Sequence, residues 1–364
     1  MTAVANVRDS CADAGSSSTP MTSLTVSALR DDGVAWNRYV EGHPEGTVEH
    51  LAEWRTIFAD VFGQEPLYLT ARRDEQIVGV LPLVKFKSLL FGRSLVSVPY
   101  ANYAGLLTSD AAASDALVRE ATTLGRAFGA THVELRNTSR HCSELLARQH
   151  KVGARLRLPS DAQALWTALD RKVRNQVRKA QKEGLTTEVS GAEKLDEFYD
   201  VFATNMRDLG TPVFPRSFFS TVFEVFGPRV RVSLVRRGGA TMAAGISLAW
   251  RDLVLVPWAS SLREYRPLSP NMLLYWSMIE SAIAGGAAIF DFGRSTRDGG
   301  THHFKQQWGA EDVPLHWEYV MLSKDSLPDH GTSNPGMEFF IRAWRRLPVA
   351  VSRWLGPHVI RQVP

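Results

Sequence analysis

The sequence lacks several features that would define whole classes of protein. It has no apolar run near the roughly 18 residues that a membrane-spanning helix needs. Its two cysteines, Cys11 and Cys142, show neither metal-site spacing nor a pairing pattern, which favours a reducing compartment and excludes a sulfur-based metal site. Residues 1–23 are polar and lack the apolar segment of a signal peptide, so we expect a disordered leader. These absences predict a cytoplasmic protein.

Strong charge of either sign is also missing. The net charge is +4 in 364 residues, with 44% hydrophobic and 22% charged residues. This composition is typical of a soluble globular protein and does not by itself indicate a nucleic-acid partner. The length exceeds what one hydrophobic core usually supports, so two domains are expected.

Apolar spacing divides the chain into two halves of similar plan. In the first half it predicts a helix over residues 50–62, strands over 67–71, 77–86 and 94–98, a helix over 114–128 with Ser114 as N-cap, and a strand over 131–136. In the second half it predicts helices over 195–206 and 215–226, strands over 230–236, 241–250 and 253–258, a helix after Pro270, and a strand over 287–292. We therefore predict a mixed α/β fold with domains at residues 24–160 and 161–335 and a tail at 336–364.

A basic helix is predicted at residues 171–182, with six positive charges and no negative one. Arg174, Arg178 and Lys182 share one helical face with Arg171, while Val173, Val177 and Ala180 share another. Like charges at this spacing repel each other, so the face is suited to phosphate groups of a nucleotide, a tRNA or a lipid-linked sugar. A solvated helix face is the alternative.

Polar residues follow two predicted strands. Asp291 stands in the apolar run IFDFG and needs a partner if it is buried, for which Arg294 and Lys305 are candidates. A structural ion pair and a catalytic role are both open. Asn102 and Tyr103 lie in a loop bracketed by proline and glycine, where they either contact a ligand or only pack.

The C-terminal tail combines tryptophan with arginine in AWRRLPVAVSRWLGP. A basic amphipathic segment of this composition is typical of a peripheral membrane contact on the inner face of the membrane. Packing of the same tryptophans against the body of the protein is the alternative.

Several blocks resemble the FemAB-like proteins associated with exosortase (PEP-CTERM) systems. They are HLAEWRTIFADVFG, IVGVLPLVKFKSLLFGRSLVSVPYANYAG, RKVRNQVRKAQKEGL, NMRDLGTPVFP, FDFGRSTRDGGTHHFKQQWGAE and AWRRLPVAVSRWLGP. They follow one another in order, and the resemblance spans about residues 45 to 360. One departure is Tyr103-Ala104-Gly105, where the resemblance leads us to expect Tyr-Gly-Gly.

The resemblance implies two tandem domains of the GNAT acyltransferase fold, the second similar to a BioF2-like acetyltransferase domain. FemAB-like proteins move an amino acid from aminoacyl-tRNA to a peptidoglycan precursor, and the exosortase-linked group is associated with exopolysaccharide synthesis. We therefore expect an acyl- or aminoacyltransferase that forms an amide on a lipid- or nucleotide-linked glycan precursor of the cell envelope. The expected donor substrate is aminoacyl-tRNA or acyl-CoA. No bound cofactor, metal or DNA is expected.

The loop before the predicted helix at Pro270 bears on the donor. GNAT domains that use acyl-CoA usually hold its pyrophosphate in a glycine-rich loop there, but residues 261–271 contain no glycine. A backbone with side chains cannot approach a pyrophosphate as closely, which favours aminoacyl-tRNA. Ser269 and Pro270 predict a helix start whose N–H groups, with Arg263 and Arg266, suit an anion.

The expected reaction needs a base, an oriented amine and a stabilised oxyanion. We assign Asp291 as base or orienter, and we expect backbone groups beside the strand over 253–258, with Arg294 or Lys305, to stabilise charge. A non-catalytic, membrane-associated adaptor that binds anionic glycan lipids or RNA is the rival hypothesis. The candidate substrate-binding residues are Asn102, Tyr103, Arg174, Arg178, Lys182, Asn205, Arg207, Thr211, Arg263, Tyr265, Asn271, Tyr275 and Trp308.

Overall fold

The structure is a computed structural model that describes residues 23–31, 33–89, 91–141, 144–323, 327 and 335–363. All of the predicted leader except its last residue, as well as Cys11 and Cys142, lies outside the described residues. The first half contains β1 (Leu24–Ala28), α1 (Val34–Gly42), a 3₁₀ turn (Val48–His50), α2 (Trp54–Thr56, continued as a π-helix over Ile57–Val61), β2 (Glu65–Arg73), β3 (Gln76–Ser88), β4 (Gly92–Ser97), α3 (Ala111–Phe128), β5 (His132–Asn137) and β6 (Leu146–Arg148).

The second half begins with β7 (Lys151–Arg157), α4 (Ala162–Ala168), α5 (Arg171–Lys182), β8 (Thr186–Ser190), α6 (Leu195–Leu209), α7 (Arg216–Phe226), β9 (Val230–Arg237) and β10 (Ala240–Trp250). It continues with β11 (Leu253–Ser261), a 3₁₀ helix (Arg263–Leu268), α8 (Pro270–Ala284), β12 (Ile289–Thr296), α9 (Gly300–Gln306), β13 (Glu311–Pro314), β14 (His316–Met321), α10 (Pro335–Trp344) and α11 (Val349–Ile360). Within the described chain, no helix is both long and apolar enough to cross a membrane.

The strands form two seven-stranded mixed sheets. The first has the order β1-β2-β3-β4-β5-β14-β6, and the second has the order β13-β7-β12-β11-β10-β9-β8. β4 pairs with β5 in parallel and β11 pairs with β12 in parallel, whereas the other strand pairs of both sheets are antiparallel. β7 and β14 each join the sheet of the other predicted domain. The division into domains at residues 24–160 and 161–335 therefore does not coincide with the two sheets, and it stays a prediction.

Hydrophobic packing arranges the elements in layers. α3 covers the outer face of the first sheet, and α5 and α8 cover the outer face of the second. The largest apolar cluster lies between the two sheets and draws on α1, α2, α6 and α7 as well as on inward-facing strand residues. Its fully buried aromatic residues include Trp36, Phe58, Phe218 and Phe219. This shared core joins the inner faces of the two halves, which positions the candidate site.

One predicted helix start needs correction, and a second is correct in position but lacks its expected side-chain cap. α3 begins at Ala111 rather than at Ser114, and the carboxylate of Asp110 caps it by accepting the N–H of Ala113 at 3.1 Å. Ser114 lies inside the first turn and is buried. Ser269 does precede α8, but its φ of 58° is left-handed and its side chain accepts no capping hydrogen bond among the described residues. Pro270 stands at the first helical position, as predicted.

The basic helix is confirmed. α5 spans Arg171–Lys182 and buries Val173, Val177 and Ala180, the three residues assigned to its inner face. Asp170 starts the helix by accepting the N–H of Lys172 at 2.6 Å. The positive charges of α5 therefore lie on the outside of the second sheet rather than between the halves.

Candidate active site

The parallel pair of the second sheet opens into a split. β11 and β12 are in register over three residue pairs, from Leu253 opposite Ile289 to Leu255 opposite Asp291. Beyond that point β11 runs on to Ser261 and β12 to Thr296 without further pairing to each other among the described residues. Backbone N–H and C=O groups on diverging strands need other partners, so a split of this kind is a natural place for a ligand.

An irregularity in β12 shapes one side of the split. Its register with β7 shifts between Asp291 and Arg294, and Gly293 adopts a φ of 70°. A side chain at Gly293 would meet Asn102 Nδ2 and the carbonyl oxygen of Val256, each at 3.4 Å. Glycine therefore lets β12 turn its carbonyl groups away from the regular ladder.

Lys305 on α9 binds this irregular stretch of β12. Its Nζ donates to the carbonyl oxygens of Gly293 and Arg294, both at 2.9 Å, and the residue is 6% exposed. Burial lowers the pKa of Lys305 to about 8. An ammonium group carries three N–H donors, of which two are used here. The third has no acceptor among the described residues and is available to a ligand.

Asp291 is fully buried and saturated with donors. Its carboxylate accepts from Tyr103 Oη at 2.8 Å, from Arg155 Nε at 2.8 Å and from the N–H of Gly293 at 2.7 Å. Arg155 lies directly opposite Asp291 in the β7–β12 register. The prediction that Arg294 or Lys305 would pair with Asp291 is therefore wrong within the described chain.

The bulge in β12 explains the different position of Arg294. Because the register has shifted, its guanidinium donates to the carbonyl oxygen of Ala101 at 3.0 Å and lies over the Trp317 ring at 5.3 Å. Burial lowers the pKa of Arg294 to about 10, and Arg136 adds to this effect. Arg294 thus joins the second sheet to the loop of residues 99–105.

Glu49 is a site residue that the sequence did not reveal. It lies in the 3₁₀ turn before α2, is 2% exposed, and accepts the backbone N–H groups of Asn102 and Tyr103 at 2.7 Å each. Burial raises its pKa to about 7. A single glutamate beside an apolar helical pattern gives no motif, so no sequence signal pointed to it.

A cavity of about 350 Å³ lies between the two halves. Glu49 and Tyr103 line it from the first half, and Arg155 and Asp291 line it from the second, next to the β10–β11 turn. Tyr103 links the two sides, because its hydroxyl bonds Asp291 and its backbone bonds Glu49. Burial, together with the nearby Asp291 and Glu49 carboxylates, raises the pKa of Tyr103.

The other candidates fall into separate places. Asn205 on α6 donates to Ser260 Oγ at 3.0 Å, at the open end of β11. Arg207 donates to the carbonyl oxygen of Leu347 at 2.8 Å and so holds the C-terminal segment, while Thr211 is exposed just after α6. Tyr275 and Trp308 are buried aromatic packing partners.

The basic face of α5 lies away from the cavity. Arg174, Arg178 and Lys182 project from the outer surface of the second half, and Arg178 lies over the Trp166 ring at 5.4 Å. Within the described chain, no carboxylate lies within 4.0 Å of any α5 cation. These charges are therefore not neutralised by the protein.

The start of α8 offers few donors to a phosphate. Pro270 has no N–H, and the N–H groups of Met272 and Leu273 both donate to the carbonyl oxygen of Ser269. That leaves the N–H of Asn271 without an acceptor among the described residues. Arg263 and Tyr265 lie on the 3₁₀ helix that precedes it, with Arg263 exposed. The anion site expected here has one backbone donor rather than a cradle.

Comparisons with known proteins agree with this geometry. Residues 168–306 match the family model of the acetyltransferase (GNAT) domain. The chain matches the crystal structure of FemX at 15% identity and a TM-score of 0.65, covering 81% of this chain and 98% of that one. No curated protein sequence matches.

Two further solved structures are similar. One is L-PGS from Bacillus licheniformis, at 12% identity, a TM-score of 0.54 and coverage of 87% of this chain and 98% of that one. The other is a tandem GNAT protein from the clavulanic acid biosynthesis pathway, at 12% identity, a TM-score of 0.50 and coverage of 84% and 100%. The predicted fold, a mixed α/β architecture of two tandem GNAT units, is confirmed. Residues 168–306 are an acyltransferase domain of the GNAT class.

Proposed function

We propose that the protein transfers an acyl or aminoacyl group from an activated donor to an acceptor amine at the split between β11 and β12. The amine nitrogen forms a bond to the acyl carbon, and the bond from that carbon to the donor's oxygen or sulfur breaks. The amine loses a proton, and the leaving hydroxyl or thiol gains one. The observation that carries this proposal is Lys305, whose ammonium is fixed on the backbone of β12 just past its last pair with β11, with two donors used there.

Lys305 stabilises the charge of the reaction. Negative charge develops on the acyl oxygen as the amine attacks, and a prepositioned donor in a buried site is worth far more there than in water. Two carbonyl oxygens hold the ammonium in place before the donor arrives. Little reorganisation is therefore required at the moment of transfer.

Asp291 acts as a positioning residue. Its carboxylate is buried and accepts three donors from the protein itself. It fixes Tyr103 and Arg155 in the cavity wall. Glu49 is the better base, because its pKa of about 7 suits proton transfer near neutral pH and its side chain lines the same cavity.

Aminoacyl-tRNA is the proposed donor. The uncompensated cations of α5 provide a surface for a phosphate backbone, whereas the start of α8 lacks the backbone donors that a CoA pyrophosphate uses. The resemblance to FemAB-like proteins points the same way. The proposed acceptor is an amine on a lipid- or nucleotide-linked glycan precursor of the cell envelope, which the same resemblance associates with peptidoglycan or, through PEP-CTERM systems, with exopolysaccharide.

The experiment offers purified protein aminoacyl-tRNA and acyl-CoA in separate reactions with a set of amine-bearing envelope precursors, and product mass is measured. We expect a mass increase of one aminoacyl residue that depends on Lys305. Lys151→Met is the matched control, because Lys151 is also partly buried and donates to Thr296 at the far end of β12. Transfer from acyl-CoA alone would reverse the choice of donor.

The rival hypothesis, a non-catalytic adaptor, is separated in the same experiment. Replacement of Arg174 and Arg178 by Gln should weaken binding of an anionic ligand under either hypothesis. Replacement of Lys305 by Met should abolish product only if the protein is an enzyme. Binding of RNA or glycan lipid without any product from either donor would support the adaptor and contradict the transferase.

A further inference from the structure

The C-terminal segment, residues 338–363, is fastened to both halves of the molecule. Toward the second half, Arg353 pairs with Asp200 at 2.6 Å, and the carbonyl oxygen of Leu347 accepts from Arg207 at 2.8 Å. Toward the first half, Arg361 donates to the carbonyl oxygen of Val61 at 2.7 Å. The segment is therefore a fixed part of the surface rather than a free end.

Its two helices each bury one face. Trp344 on α10 is 4% exposed, and Ser352, Gly356 and Ile360 on α11 are buried against the body. Gly356 packs so closely that an added Cβ would lie 2.8 Å from Val213. The sequence left open whether the tail tryptophans pack or face outward, and the structure divides them: Trp344 packs inward and Trp354 does not.

The opposite faces of the same helices are apolar and basic. Phe339 is 70% exposed and Trp354 is 69% exposed, and Arg342 and Arg346 are exposed beside them without an ion pair among the described residues. Val351 is exposed one turn before Trp354. We call these five exposed side chains together the tail face.

Exposed apolar residues concentrate around this segment. Eight large hydrophobic side chains are exposed in the described chain, and three of them, Phe339, Val351 and Trp354, belong to the tail face. Two more belong to stretches that the segment bonds directly: the carbonyl oxygen of Leu209 accepts from Arg345, and the N–H of Leu89 donates to Gln362. Such clustering marks an interaction surface.

Charge indicates the partner. Residues 338–363 contain five arginines and one glutamate. Three of the arginines, Arg345, Arg353 and Arg361, bond to the body, which leaves Arg342 and Arg346 on the tail face. Tryptophan beside arginine on an exposed helix suits the headgroup region of a membrane that contains anionic lipid.

We propose that the tail face docks the protein on an anionic lipid bilayer, with Trp354 and Phe339 entering the headgroup region and Arg342 and Arg346 contacting lipid phosphates. The helices are already held in place by the body, so docking requires little ordering of the chain. This inference does not depend on the transfer reaction. A lipid surface is favoured over RNA because the most exposed residues of the face are apolar.

The test is sedimentation of the full-length protein with vesicles of phosphatidylcholine alone and with vesicles of phosphatidylcholine and phosphatidylglycerol. Wild-type protein should sediment with the mixed vesicles and remain in solution with phosphatidylcholine alone. Replacement of Trp354 and Phe339 by Ala should weaken partitioning by roughly tenfold, because their apolar surface no longer enters the bilayer. Both positions are exposed, so folding should be unaffected.

Charge reversal gives a second measurement with a matched control. Arg342→Glu with Arg346→Glu should weaken binding to mixed vesicles by roughly tenfold or more and reduce its salt dependence. Arg119→Glu with Arg126→Glu makes the same charge change on exposed positions of α3 and should leave binding unchanged. Equal loss in both pairs would overturn the proposal.

Other occupants of the tail face are also outcomes of this test. A Trp354-dependent dimer in sedimentation velocity without lipid would assign the face to a second copy of the chain. Loss of RNA binding with unchanged vesicle binding would assign it to nucleic acid. Loss of vesicle binding on replacing α5 arginines, but not on replacing tail residues, would place the membrane contact elsewhere. Each of these results would overturn the proposal.

Discussion

The two sheets share an architecture, but they differ at the point where their parallel strands stop pairing, which in the second sheet is the split between β11 and β12. In the first sheet, β4 and β5 pair at Leu95 with Val133 and at Val96 with Glu134. Ser97 Oγ then accepts the N–H of Arg136 at 2.7 Å, so a side chain continues the contact between the strands. In the second sheet, β11 and β12 stop pairing after Leu255 and Asp291, and the β12 carbonyl oxygens just beyond that point accept from the Lys305 ammonium instead.

The loop after β4 covers the end of the β4–β5 pair in the first sheet. The side chain of Asn137 accepts the N–H of Leu106 at 2.8 Å and donates to Glu318 at 2.5 Å. Loop residues 101–107 are all buried. A parallel pair whose backbone groups are satisfied by its own chain has nothing to offer a donor substrate. The first half therefore supplies a wall of the cavity, and the second half supplies the reactive split.

Among the predicted variants, loss of Lys305 should have the largest effect, because it removes the side chain that distinguishes the second sheet from the first. Lys305→Met removes the donor at the second split, and we expect turnover to fall by about 10²- to 10³-fold, the usual cost of one oxyanion donor. Ser97→Ala, at the corresponding point of the first sheet, should leave turnover nearly unchanged. The measurement is the rate of product formation by mass. Equal losses in both variants would mean that the two sheets do not differ in function at this point.

The packing of loop residues 101–107 over the end of the β4–β5 pair can be tested through Gly105. A Cβ at Gly105 would lie 1.7 Å from Asn137 Oδ1, so Gly105→Ala must displace the loop. We expect the free energy of unfolding to fall by about 1–3 kcal/mol or more, as for other overpacked interiors. Gly300→Ala is the control, because nothing lies within 4 Å of its added Cβ. Urea denaturation of both variants gives the comparison, and equal stability would show that the loop does not pack as tightly as described.

Much of the fold could be predicted from the sequence because it depends on local pattern. The sequence pattern located α5 to the residue and predicted eight strands, β2 to β5 in the first half and β9 to β12 in the second, but it did not predict β1, β6, β7, β8, β13 or β14. The helix start at Ser114 was wrong, because Asp110 caps α3 instead, whereas the start of α8 at Ser269 and Pro270 was predicted correctly although Ser269 makes no side-chain capping bond. The exchange of β7 and β14 between the sheets depends on pairing between distant segments, which local pattern does not record.

The site was predictable only in part, for the same reason. Asp291, Arg294, Lys305 and Tyr103 could be identified as polar residues beside apolar strands. Their partners could not, because Arg155 meets Asp291 through strand register and Glu49 reaches the loop from a turn about 50 residues earlier. Each pairing is a consequence of tertiary structure.

Glu49 allows the packing of the first half to be tested through the pH dependence of stability. Burial raises the pKa of Glu49 to about 7 in the folded protein, above its ordinary value of 4.5. Between these values the folded state binds more protons at Glu49 than the unfolded state does, so the contribution of Glu49 to stability is greatest below pH 4.5 and is lost as the pH rises to about 7. In Glu49→Gln this slope should disappear. The free energy of unfolding, measured in urea from pH 4 to pH 8, checks this.

The same variant should also lose a contact. A glutamine side chain has one carbonyl oxygen, so one of the N–H groups of Asn102 and Tyr103 loses its acceptor, at a cost of about 1–3 kcal/mol. The variant should be clearly less stable than wild type at pH 5. The difference in free energy of unfolding between the two proteins should become smaller toward pH 8, because only wild type loses the contribution of Glu49. A difference in free energy of unfolding that stays constant from pH 5 to pH 8 would show that Glu49 does not titrate in this range.

The smallest expected effect concerns the outer faces of the two sheets. α5 covers the second sheet and α3 covers the first, and both helices carry arginines at the surface. Only the second sheet has an open split between its parallel strands. Arg174→Gln should raise the KM for aminoacyl-tRNA about threefold at low salt, as expected for a single exposed charge contact. Arg119→Gln on α3 should leave the KM unchanged. Because salt screens exposed charges, the difference should shrink at high ionic strength. If it persists there, Arg174 acts through the packing of α5 rather than through its charge.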